Sequence, residues 1–152
     1  MPYSIDPTEA QQSIIDHLEE TFPGVRVIPD GMPDISDEYI DTFPDGSIKP
    51  FLLLQFSEPR RTGRTAFAEY KLDAHDASVD ILAVTRDATS GRILLNKVTN
   101  ELVGFRVEGG GRMHKGTSLW GESRQLIDDT DRPNRWVRTS NFQFGIASRK
   151  VV

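Results

Sequence analysis

The residues best suited to chemistry are two acids and a lysine set around an apolar run: Pro44-Asp45, then Phe51 to Phe56, then Glu69-Tyr70-Lys71. Two carboxylates on neighbouring strands can hold Mg²⁺ while a lysine steadies the attacking water or the leaving phosphate, which is the layout of a metal-dependent nuclease. Asp45-Gly46, however, has the chemistry of a turn rather than of a strand, so the nuclease stands only as an alternative. Asp73, His75, Asp76 and Asp80 form a second cluster of ligand-type residues. Strand alternation sends Asp73 and His75 to one face and Asp76 and Asp80 to the other, and a solvated turn is the simpler reading. His17 and His114 have no serine and acid placed to make a triad. The triple glycine of VEGGGRMHKG precedes no helix, and Lys115-Gly116 reverses the Gly-Lys order of a phosphate loop, so a flexible loop is expected there. Cysteine is absent, which removes disulfides, thiolate zinc sites and cysteine nucleophiles and fits a reducing compartment. No catalytic residue, metal or cofactor is expected.

Positioning any of these residues falls to a small set of elements. Asp6, Pro7 and Glu9 read as a helix start, with a carboxylate cap, a proline at the first helical position and an acid reaching back. Ala10, Ile14, Ile15, Leu18 and Phe22 fall on one side of that helix, and Pro23-Gly24 ends it. A short strand from Val25 follows. Phe51 to Phe56, bounded by Pro50 and Pro59, reads as a strand covered on both faces. In the second long strand Val79, Ile81 and Ala83 share one face, with Leu82 and Val84 on the other. Asp87, Thr89 or Ser90 caps the next helix, whose buried stripe is Leu94, Leu95, Val98 and Leu102, with Gly104 as a left-handed stop. Val103, Phe105 and Val107 alternate as a half-buried strand, and residues 112 to 135 show weak patterning. Trp136, Phe142, Phe144 and Ile146 share the core face of a last strand. Aromatics at that period also suit base stacking, but the core reading is the plainer one. The expected fold is α+β: one mixed or mainly antiparallel sheet with two amphipathic helices packed on a face, long loops, and a single domain over residues 1 to 152.

Charge is sorted by loop. Pro29 to Gly46 holds six carboxylates and no Lys or Arg, while Arg60, Arg61 and Arg64 crowd the exit of the apolar strand. Copies of the chain placed head to tail would set Asp34, Asp37 and Asp41 of one against those arginines of the next, a heterologous contact that closes into a ring if the rotation allows. A net charge of −5 does not suit a protein that grips nucleic acid through a basic face, though it suits a surface past which DNA slides. The first ten residues lack a basic region followed by an apolar core, and no apolar run reaches about 18 residues, so a soluble intracellular protein with no membrane partner is expected.

The stretches AQQSIIDHLEETFPGVRV, ASVDILAVTRDATSGRILLNKVTNEL, GFRVEGGGRM and WVRTSNFQFGI, in this order and spacing, resemble the tail terminator proteins of long-tailed bacteriophages. The acidic 29 to 46 loop and the 112 to 135 segment depart from that pattern. The resemblance implies a sheet flanked by helices, a homo-hexameric ring, and no catalysis. The partners it implies are the tail tube protein on one side and a neck or head-completion protein on the other, in a virion assembled in the host cytoplasm with DNA passing through the channel. It also implies that the junction Val79 to Thr89 is scaffolding. A neck or head-completion adaptor ring is the nearest alternative.

Overall fold

The computed structural model describes residues 3–4, 7–30, 41–61, 74–116, 124–127, 135–147 and 149–150. The fold is α+β. Its centre is a pair of long antiparallel strands, β5 (Ala74–Thr85) and β8 (Arg135–Ala147), in continuous register from Ala74↔Ala147 to Thr85↔Trp136. β3 (Phe51–Phe56) pairs antiparallel with β5, and β2 (Arg26–Pro29) lies parallel to β3 at the edge, which makes the sheet mixed. β4 (Arg60–Arg61) continues along β5 beside β3, while β6 (His114–Lys115) and β7 (Arg124–Ile127) both pair with β8. β1 (Tyr3–Ser4) and β9 (Arg149–Lys150) form a separate two-stranded pair.

Strand period 2 divides the apolar residues between two cores. Leu52 and Leu54, Val79, Ile81 and Ala83, and Phe142, Phe144 and Ile146 face the helices. Phe51 and Leu53, Leu82 and Val84, and Val137 face the other way with Ile28 and Ile48. Phe51 to Leu54 are therefore all buried, as expected of a strand covered on both sides, and Phe142 and Phe144 of β8 are core residues. Trp136 is only half-buried.

α1 (Thr8–Thr21) buries Ala10, Ile14, Ile15 and Leu18 on the sheet. The cap position falls on Pro7, one residue later than the expected Asp6, and has no side-chain cap; Asp6 lies outside the described residues. The helix is keyed in place by polar and ring contacts. The Ser13 hydroxyl donates to the Ala10 carbonyl at 2.7 Å and accepts the Glu108 N–H at 3.0 Å. His17 stacks on Phe105 with ring centroids 4.2 Å apart.

α2 (Ala88–Leu102) starts at Asp87, whose carboxylate accepts the Ser90 N–H at 2.7 Å, and stops at Gly104 with φ 87°. After the stop the structure departs from the expected strand over 103 to 107. Val103 is 48% exposed, and the segment forms a tight reversal joined by a lone bridge between Arg106 and Arg112. Its main chain closes on itself, Phe105 N–H donating to Leu102 O and Met113 N–H to Phe105 O, so few groups remain for a ladder with another strand. The glycines that follow are packed rather than loose: Gly111 N–H donates to Gly145 O at 3.0 Å, and a Cβ on Gly110 would overlap Gly145 O and Val107 Cγ2.

Candidate functional site

The structure brings four connecting pieces together at one end of the sheet. The first is a hairpin over residues 41 to 50, closed by the Thr42↔Ile48 bridge. Lys49 N–H donates to Asp41 O at 2.7 Å and Phe43 N–H to Ser47 O at 2.8 Å. Its tip is the turn expected at Asp45-Gly46: Gly46 has φ 88°, and Asp45 Oδ1 accepts the Ser47 N–H at 2.9 Å and the Ser47 hydroxyl at 2.6 Å. The second is the turn leaving α1, where Val25 N–H returns to Phe22 O. The third and fourth are the end of β5 and the first turns of α2, tied by the Thr85 hydroxyl donating to Asp87 O at 2.7 Å.

Between these pieces lies an open groove of about 380 Å³, with walls that include Phe22, Val25, Phe43, Ile48 and Ile93. Phe43 is 39% and Ile93 51% exposed, an apolar surface that helical packing alone leaves uncovered. Arg86 and Lys97 line the groove as well, and Lys49 Nζ lies 5.6 Å from the Phe43 ring centroid. Arg86 forms an ion pair at this end. Its Nε is 3.5 Å from Asp87 Oδ2. The Ser47 hydroxyl, then the Ser47 N–H, hold the Asp45 carboxyl below its ordinary range, with Arg86 adding attraction. The Ser90 N–H, then its side chain, do the same for Asp87, again helped by Arg86. Apolar walls with a cationic rim can bind a partner that carries apolar side chains and carboxylates.

Of the residues singled out in the sequence, Asp41 is exposed on the hairpin. Arg60 and Arg61 form β4, in register with Asp76 and His75. The strand is two residues long, too short for alternation in the sequence to register it. The pairing slips by one place after Phe56↔Val79, where Ser57 Oγ takes the Ser78 N–H at 2.9 Å. Arg64, Asp34 and Asp37 lie outside the described residues, as do Glu69, Tyr70, Lys71 and Asp73. Asp45, the first acid of the nuclease set, sits on a turn with its carboxylate bonded to Ser47. Asp76 is exposed, while Asp80 is half-buried and accepts the Asn141 side-chain N–H at 2.7 Å. Among the described residues no three His, Asp or Glu side chains converge as for a metal, and no helix is long and apolar enough to cross a membrane. His17 Nε2 is 3.6 Å from Glu101 Oε2, and its ring serves packing, while His114 is exposed on β6.

Phe43, Ile93 and Lys97 are the residues that sequence reasoning passed over. Ile93 carried a signal, since it stands next to Leu94 and Leu95 and off the stripe they define with Val98. Compared with known proteins, the chain matches no family model and no curated protein.

Proposed function

We propose that this chain is a structural subunit that forms a ring on the end of a phage tail tube, stops the tube from growing and joins the tail to the neck. The observation that carries the reading is the way the resembling stretches fold. β5 runs into an Asp87-capped α2, and α1 and α2 bury their apolar stripes in one core against the same sheet. That is the α+β arrangement with helices on a sheet which the resemblance to tail terminators implies. The charge distribution supports the same reading, since α1 alone holds Glu9, Asp16, Glu19 and Glu20 exposed and no Lys or Arg. An anionic ring repels the DNA backbone and lets it pass without ion pairing. Ring contacts between oppositely charged surfaces of successive copies would be heterologous and closed.

The test is light scattering and electron microscopy of the purified protein, alone and with tail tubes. The expected result is a particle of about six copies of the 17.1 kDa chain, free or seated on tube ends, and tubes of limited length when the protein is supplied. Single particles in every condition, with tubes growing equally long in its presence and absence, would remove the proposal.

A further inference from the structure

We infer that the groove between α2 and the 41–50 hairpin is the docking site for residues 34–40 of a second copy of this chain. Two of the three exposed large hydrophobic residues among those described, Phe43 and Ile93, line this one groove. The surface therefore concentrates apolar area where a partner would remove it from water. The cations that line it are Arg86 and Lys97, and Lys49 lies beside the Phe43 ring. Arg86 already pairs with Asp87, whereas Lys97 makes no ion pair among the described residues. The groove thus calls for an occupant with bulky apolar side chains and nearby carboxylates. The stretch DISDEYI supplies both: Ile35, Tyr39 and Ile40 as anchors, and Asp34, Asp37 and Glu38 for the rim. Groove and stretch are different parts of one chain, so each copy can give the stretch to one neighbour and the groove to the other. That is a head-to-tail contact of the kind a ring needs. The inference rests on the ring reading for the partner being a second copy, and it moves the acceptor of the acidic loop from the arginines at 60 to 64 to the groove.

The experiment titrates a fluorescein-labelled synthetic peptide of residues 31–41 against the full chain, read by anisotropy, with light scattering on the same variants. Binding should weaken by about tenfold or more in Ile93→Ala and in Lys97→Glu, and it should weaken as salt rises. Ile93→Ala keeps a good helix former at an exposed site, so the fold remains. The assembled mass should fall in both variants, and Asp37→Lys should restore it in the Lys97→Glu background. Peptide affinity unchanged in the two variants, or equal to that of a scrambled peptide, overturns the inference. So does a peptide that finds no site while Ile93→Ala lowers the melting temperature without changing the mass, since the chain's own segment would then fill the groove. Mass lost on changing Arg60, Arg61 and Arg64 to Glu, but kept in Ile93→Ala, overturns the groove and leaves the ring. Specific peptide binding without any ring supports the groove and counts against the ring reading.

Discussion

Gly109, Gly110 and Gly111 are identical in sequence and unequal in the structure. Gly109 holds φ 72°, a conformation that L side chains rarely adopt. Gly110 has no room for a Cβ, because Gly145 O and Val107 Cγ2 already occupy the space. Gly111 has nothing within 4 Å of where a Cβ would stand. Gly110→Ala is therefore expected to cost about 1–3 kcal/mol through overpacking against the β8 main chain, while Gly111→Ala stays within about 0.5 kcal/mol. Urea unfolding midpoints of the two variants check this, and equal midpoints would refute the close packing. The sequence marks the three glycines only as a flexible loop, because the atom that excludes a side chain belongs to Gly145, far along the chain. Asp87 and Gly104 were legible for the opposite reason: a cap and a left-handed stop act within a few residues of themselves.

Among the elements, those with enough residues to show a period were readable. The stripes of α1 and α2, the two-sided burial of β3 and the alternation of β5 and β8 all follow the expected faces. β4 and β6 are two residues each, and Val103 to Val107 alternates in sequence while its hydrogen bonds close a reversal, so period alone misassigns them. The groove was hidden for a related reason: its walls come from four connections that only the tertiary fold brings together, and Ile93 alone broke a local rule. α2 also carries a prediction of its own. Asp87→Ala removes the acceptor for the Ser90 N–H and should cost about 0.5–2 kcal/mol at neutral pH. The carboxyl's folded pKa lies below its ordinary value. Its stabilisation is thus present above the unfolded value of about 3.9 and is lost as pH falls through the folded one. The gap between the wild type and Asp87→Ala should therefore narrow from pH 7 to about pH 3, read by urea denaturation at both. A gap of constant size would assign the cost to helix propensity rather than to the charged cap. Asp45 shifts in the same direction, so the comparison must be between chains differing only at residue 87.

At the scale of the molecule, a second share of the acidic balance, beside that of the 29 to 46 loop, sits where it does α1 no good. The chain's net charge is −5, and the four carboxylates of α1, with no Lys or Arg among residues 8 to 21, account for −4 of it. Glu9 in the first turn agrees with the helix dipole, but Glu19 and Glu20 close the helix with the wrong sign, and Asp16 and Glu20 repel at i, i+4. Changing Glu19 and Glu20 to Lys takes the net charge from −5 to −5 + 4 = −1 and should stabilise the chain by about 0.5–2 kcal/mol, seen as a higher melting temperature that shrinks toward the wild type as salt is added. Stability so easily gained and not taken is what a surface kept for a partner or a passing polyanion would show. Under the ring reading, the stabilised variant should cap tail tubes poorly, or make capped tails that release DNA slowly. A variant that melts higher yet caps and releases like the wild type would mean that the acids at the end of α1 serve neither contact, and the anionic face of the ring would have to be sought on another element.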